Sequence, residues 1–284
     1  MAESLESFKN AIGKSETTTD VVTGSVMLKF AATLGIDDAP SAPGALVPPG
    51  WHGGFFPPSH RPQQMREDGQ ESGGGLVPAI PLPRRRIGGT SMTFHDPLHV
   101  GDAIERVSEI ADVRIDNGPG GAMVTVIERS SISSSRGLAI VEDRERLSLS
   151  EERADATPQA GPEVPAEPTW QQVIEPDAAL LFRLSAIRFN SHRIHYDRDY
   201  VTNVEKLPGL VVQTSLLSLL LTEMCRREMP QSRLVSFDFK TIRQTYDTGP
   251  FTIAGAPATD EKTAALWVLD PGGHVSMTAH AAFG

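Results

Sequence analysis

"VVQTSLLSLLLTEMCRR", residues 211–227, decides the fold. Leucines stand at 216, 217, 219, 220 and 221, and the polar residues among them are uncharged until Glu223. Apolar side chains therefore point nearly all the way round a 3.6-residue turn, the mark of a helix buried on every side. The stretch is too short and too polar to span a bilayer. Downstream the period changes to two: Val235, Phe237 and Phe239 alternate with Ser236, Asp238 and Lys240. "FTIAGA" (251–256), "AALWVL" (264–269) and "HVSMTAHAAF" (274–283) continue in strand-like runs, with "DPGG" (270–273) turning between the last two. In the final run Val275, Met277, Ala279 and Ala281 face one way, as on a one-sided antiparallel strand.

Upstream, "EERADATPQAGPEVPAEPTW" (151–170) is rich in proline, alanine and acid and reads as an extended linker. The half before it repeats the order of elements. "DVVTGSVMLKFAATLG" predicts a helix from the N-cap Asp20 to the C-cap Gly35. Residues 40–83, dense in proline and glycine, read as mostly irregular. Strands are predicted over 91–94, 103–115, 122–130 and 138–149, with a hairpin turn through Gly118, Pro119, Gly120 and Gly121. A helix followed by an antiparallel meander, twice, is an α+β pattern in which a sheet wraps a central helix. That is the hotdog arrangement, and two copies in one chain make a double hotdog. The expected division is 1–150, the linker 151–170, and 171–284.

The 284 residues carry a net charge of −10, 39% apolar and 22% charged residues, which describes a soluble globular chain able to bury a sizeable core. The acidic balance argues against nucleic acid or an anionic membrane as partner. The single cysteine, Cys225, excludes internal disulfides and cysteine-rich metal sites and fits a reducing cytoplasm. The N-terminal "MAESLESFKNAIGKSE" has no apolar core and does not read as a signal peptide.

"FNSHRIHYDRDY", residues 189–200, concentrates proton-handling side chains in twelve positions. It follows a strand-like run, 181–189, and is expected as a loop or short helix at the mouth of the sheet, beside the start of the buried helix. Unpaired backbone N–H groups and a partial positive charge gather there. A histidine next to such an oxyanion site can move a proton at a carbon beside a carbonyl.

The segment "FNSHRIHYDRDY…PGLVVQTSLLSLLL", together with "PLPRRRIGGTSMTFHDPLHVGD" (81–102), resembles the MaoC-like hydratase/dehydratase superfamily. The branch it is most similar to holds mesaconyl-CoA and itaconyl-CoA hydratases and type 2 hydroxyacyl-thioester dehydratases. The family motif is an aspartate, then asparagine-proline, with a histidine five places after the aspartate. Carried over by position, His195 takes the histidine place and Asn190 the aspartate place, while His192 and Arg193 replace asparagine and proline. The resemblance implies His195 as the base, Asn190 as a residue that orients water, and the backbone N–H of Thr214 as oxyanion donor. Gln213 and Thr214 stand where the family has histidine and glycine, and Ser215 where this branch often has proline. His192, Arg193, Gln213 and Ser215 are then expected to support or shape the substrate site.

Taken by themselves, these residues have plainer readings. His195 could be a structural histidine on a backbone carbonyl, and the His192–His195 pair lacks a third metal ligand at a familiar spacing. Arg193 and Arg198 could read a carboxylate or phosphate or be solvated, and Arg84, Arg85 and Arg86 could form a solvated loop. His95 and His99 read as surface residues in a turn, and Cys225 as packing. Trp51 and His52 have no assigned role.

The expectation is a cytoplasmic double-hotdog hydratase acting on an enoyl-CoA. It needs neither cofactor nor metal, coenzyme A being part of the substrate. It works as a monomer of the double unit or as a homodimer, with the first half shaping the acyl pocket. The first-choice substrate is a short branched dicarboxylic acyl-CoA, mesaconyl- or itaconyl-CoA giving citramalyl-CoA. A different acyl chain, a non-catalytic acyl-CoA-binding protein, or thioester hydrolysis through Glu223 are the alternatives.

Overall fold

In the computed structural model, which describes residues 5–118, 121–151 and 162–284, the chain pairs into ten antiparallel strands. The first five are β1 (Ser15–Val21), β2 (Arg84–Phe94), β3 (Ala103–Gly118), β4 (Gly121–Ser134) and β5 (Gly137–Leu149). The second five are β6 (Trp170–Ile174), β7 (Leu234–Thr241), β8 (Phe251–Pro257), β9 (Thr263–Leu269) and β10 (Val275–Phe283). Their order across the sheet is β1-β3-β4-β5-β2-β7-β10-β9-β8-β6. Each half thus repeats the other in mirror sequence about the β2·β7 join, where Thr90 faces Phe239 and Met92 faces Phe237. The two sheets expected from the sequence are therefore one continuous sheet, because the first strand of each meander exposes an edge that the other satisfies.

Four α-helices lie among the described residues: α1 (Gly24–Leu34), α2 (Ala178–Ile187), α3 (Arg198–Asn203) and α4 (Thr214–Glu228). The helix α4 sits against β7, β8 and β9. Leu216, Leu217, Leu219, Leu221, Met224 and Cys225 are buried along it, each contributing about 2 kcal/mol by burial. They share one core with Met27 and Phe30 of α1 and with Phe237 and Met277 of the sheet. No helix among the described residues is long and apolar enough to cross a membrane.

Several boundaries differ from the sequence reading. Residues 181–189, expected as a strand, form most of α2. Asp177 caps that helix, its carboxylate accepting from the Leu180 amide at 2.7 Å, and Leu181 and Leu184 recur at helical spacing toward the core. The helix expected from Asp20 begins at Gly24; Asp20 instead ends in β1, where its carboxylate accepts from the Phe56 amide at 2.7 Å. Gly35 does close α1, at φ 70. Val211 and Val212 precede α4, and Val211 forms an isolated antiparallel bridge with Tyr246. Arg84, Arg85 and Arg86 open β2 and are not a loop. The predicted hairpin closes at Gly118 facing Gly121, and residues 119–120 lie outside the described residues. Of the predicted linker, 152–161 also lie outside them, and Trp170 already belongs to β6.

Candidate active site

The chain leaves α2 through Phe189, a non-glycine residue in the left-handed region at φ 49. It then runs along the start of α4 as a short 3-10 turn, Arg193–His195. Val211 ties the two together. Its N–H donates to the Ile194 carbonyl at 2.9 Å, and its carbonyl accepts from His195 Nδ1 at 2.7 Å. That second bond places the His195 proton on Nδ1 and leaves Nε2 as an unprotonated acceptor. Burial pushes the His195 pKa down to about 4, because a charged imidazolium would lose its hydration there. The ring therefore stays neutral and able to accept a proton at neutral pH.

Three residues beyond Val211, α4 begins. Thr214 and Ser215 are its first two residues, and their N–H groups precede the helix's own hydrogen-bond ladder, whose first bonds run from Leu216 and Leu217 back to the Gln213 carbonyl. Both residues line the same cavity of about 1170 Å³ as Asn190, His192, His195 and Gln213. Gln213 is buried; its amide donates to the Leu181 carbonyl at 2.8 Å and the Ser185 hydroxyl at 2.9 Å. The residue just before α4 is thereby bolted to α2, which fixes the start of α4 relative to the histidine segment.

Asn190 uses Oδ1 to accept from the His192 amide at 3.1 Å, which shapes the turn and leaves its NH₂ as the donor for a ligand. The His192 ring meets that of His195 edge to face, centroids 5.4 Å apart. Burial, with His195 and Arg66 adding to it, lowers His192 to about 3. Gln70 Nε2 lies 2.9 Å from its Nε2 and holds the ring. Arg193 also lines the cavity; it bonds Asp197 at 2.9 Å and lies 3.9 Å over the Tyr200 ring, a clamp that closes the 3-10 turn. Arg198 pairs with Asp247. Among the described residues no group of three metal-binding side chains includes the His192–His195 pair.

The irregular 40–83 segment, which the sequence left without a role, covers this site. The Asp68 carbonyl accepts from the Arg193 amide at 2.9 Å, and the Gly69 carbonyl accepts from the Ser191 hydroxyl at 2.7 Å. Gly69 lies at φ +80, and a Cβ on it would fall 2.0 Å from the Ser191 carbonyl oxygen, so only glycine admits this approach. Trp51 is fully buried and donates to Glu223 at 2.7 Å; Arg226 bonds the other oxygen of that carboxylate at 2.8 Å. Glu223, the acid that a hydrolytic reading would use, is thus held by Trp51 and Arg226 and is not among the residues that line the cavity. His52 lies 3.1 Å from Glu142. Cys225 is buried, its thiol pushed up to about 12, and is inert packing.

A neutral imidazole nitrogen and unpaired helix-start N–H groups in one cavity equip it to move a proton beside a carbonyl whose oxygen is held as an anion. The family model for hydroxyacyl-thioester dehydratase type 2 matches residues 50–247, spanning both the covering loop and the histidine segment. The mesaconyl-C(4)-CoA hydratase of Chloroflexus aurantiacus is 32% identical over 249 residues, 88% of this chain and 89% of that protein. The mitochondrial hydroxyacyl-thioester dehydratase type 2 of Schizosaccharomyces pombe is 26% identical over 255 residues, covering 78% and 82%. Among solved structures, a MaoC-like dehydratase superposes with a TM-score of 0.70 at 10% identity, over 98% of this chain and 99% of that one. HtdX of Mycobacterium tuberculosis does so at 0.62 and 12%, over 94% and 99%. A further M. tuberculosis protein, described as a double hotdog, superposes at 0.57 and 12% over 96% of each chain. At these identities the structural matches show the fold, which is the double hotdog.

Proposed function

The chain belongs to the hydroxyacyl-thioester dehydratase type 2 family and is a hydro-lyase of acyl thioesters, and we propose that it hydrates a short dicarboxylic enoyl-CoA. The observation that carries the reading is the Val211 bond to His195 Nδ1, which presents a neutral Nε2 to the cavity that Thr214 also lines. In the hydration direction, Nε2 takes a proton from a water held by the Asn190 amide, and the oxygen of that water bonds to the β-carbon. The electron pair of the double bond moves through the α-carbon onto the thioester oxygen, where the Thr214 N–H stabilises the developing charge. The enolate collapses as the α-carbon takes a proton back from the His195 imidazolium. Asn190 cannot ionise, so one histidine handles both protons in turn. Dehydration is the same path reversed.

The name and extent of the Chloroflexus relative support mesaconyl-CoA as substrate; itaconyl-CoA is the other choice, and the proposed product of either is citramalyl-CoA. We assign catalysis to residues 171–284 and acyl-pocket shaping to 1–150, with 151–170 joining them, because the histidine segment and α4 lie in the second half. Coenzyme A enters only as part of the substrate, and the chemistry calls for no other cofactor. Two hotdog units in one chain suffice for a site, so a monomer or a homodimer is expected, in the cytoplasm.

The test follows the enoyl-thioester absorbance with mesaconyl-CoA and with crotonyl-CoA. His195→Ala should lower kcat by about 10²–10⁴-fold with little change in thermal stability. Near-full activity in that variant, with loss in His192→Ala, would move the base to His192.

A further inference from the structure

The first half of the sheet presents a charged wall to the cavity where the second half presents α4. Arg106 of β3, Glu128 of β4, and Glu142, Arg144 and Arg146 of β5 all line it, joined by Arg188 at the end of α2. The period-two spacing of 142, 144 and 146 puts those three on the same face of their strand.

The two carboxylates are already taken. Arg144 bonds Glu142 and Arg146 bonds Glu128, while His52 adds a contact to Glu142 at 3.1 Å. Burial alone would raise Glu142, but Arg144, with His52 and Arg188 behind it, holds the carboxyl below its usual range. Two guanidinium groups are left over. Arg106 stacks over Phe56 at 4.8 Å, and its Nε is buried with no hydrogen-bond partner. Arg188 makes no hydrogen bond or ion pair through its side chain among the described residues. Burial lowers Arg188 to about 10; repulsion from Arg144 adds to the effect and attraction to Glu142, which Arg144 already bonds, opposes it. Both side chains are half-buried, and an excess of partly desolvated positive charge is costly unless an anion joins it.

We infer that this wall is the subsite for a second carboxylate on the acyl chain, with Arg188 as the residue that reads it. Its place on α2 supports the acyl end of the substrate over the coenzyme end. Ser185, one turn earlier, bonds Gln213, the residue just before Thr214, and Asn190 follows two positions later. The guanidinium is also seated: a Cβ on Gly53 would lie 2.1 Å from its terminal nitrogen, so glycine there keeps the room it occupies. A planar fork of donors suits a carboxylate. The inference deepens the proposed function and rests on Thr214 marking the thioester end of the cavity.

Binding, read by calorimetry, separates the two ideas because saturated ligands are not turned over. Succinyl-CoA and butyryl-CoA share four acyl carbons and the same phosphates and differ in one carboxylate. The wild-type protein should prefer succinyl-CoA by about 10–100-fold. Arg188→Met should erase most of that preference and leave butyryl-CoA binding within about twofold, and Arg188→Lys should restore part of it. Gly53→Ala keeps every charge but displaces the guanidinium, so it should also reduce the preference. An absent preference in the wild type, a preference that survives Arg188→Met, or equal loss for both ligands would overturn the subsite, the last by placing Arg188 on the phosphates. If the preference holds while no enoyl-CoA is hydrated, the subsite stands and the hydratase reading fails.

Discussion

His195→Asn tests the buried neutral base through stability as well as rate. The asparagine NH₂ can still donate to the Val211 carbonyl, so the 2.7 Å anchor has a replacement while the titrating nitrogen is gone. In the folded protein the histidine is held to about 4 by burial; in the unfolded chain it titrates near about 6.5. As pH falls through that window the unfolded chain takes up a proton that the folded one refuses, so stability is lost with acid. Between about pH 7.5 and pH 5 the loss from this one group is about 2 kcal/mol. Carboxylates and His192 also titrate with acid, but they are common to both proteins and cancel in the difference. Urea unfolding of wild type and variant at the two pH values should therefore show the wild type losing about 2 kcal/mol more than the variant. In the same pair, the wild-type kcat/KM should hold down to about pH 4, while the variant is slower by about 10²–10⁴-fold. Equal acid losses in both proteins would show that His195 titrates normally in the fold, and the neutral, desolvated base would be wrong.

Thr214→Pro removes the proposed oxyanion N–H at the first helical position, where proline is well tolerated, and Gln213 at φ −60, ψ 130 already has the backbone a following proline requires. It should cut kcat by about 10²–10³-fold with the thermal midpoint nearly unchanged, and unaltered kcat would place the oxyanion elsewhere. Gln213→Leu leaves the Leu181 carbonyl and Ser185 hydroxyl without their donor and should cost about 1–3 kcal/mol in urea unfolding; no cost would mean that α2 is not held to α4 by this side chain. Gly69→Ala combines a left-handed φ with a 2.0 Å clash against the Ser191 carbonyl, so it should lower stability by about 1–3 kcal/mol and depress kcat/KM. A fully active, equally stable Gly69→Ala would detach the covering loop from the histidine segment.

What was legible in the sequence is what short-range pattern encodes. The leucine-rich run 211–227 showed an interior helix because burial on all sides needs apolar residues all round. The alternation in 235–239 and 277–281 showed one-sided strands, although a register shift before Met277 sends Val275 to pack with Ala254 and Trp267 instead; 189–200 showed a turn beside a helix start, because those residues are neighbours in the chain as well as in space. Helix α2 was misread because "LFRLSAIRF" is apolar enough for either period; Asp177 as N-cap, with its bond to the Leu180 amide, was the signal that distinguishes them. The charged wall was not legible. On β5 the inward Glu142, Arg144 and Arg146 alternate with Asp143 and Glu145, so both faces look like a solvated strand. Only closing the sheet decides which charges lose water, and only the loop at 51–53 and the end of α2, some 135 residues apart in sequence, bring Gly53 and Arg188 together. The sequence by itself determined the helix, most of the strands and the histidine segment beside the helix start. Tertiary structure decided which guanidinium groups are left without a hydrogen-bonded carboxylate, because that is a balance of charges contributed by strands and loops far apart along the chain.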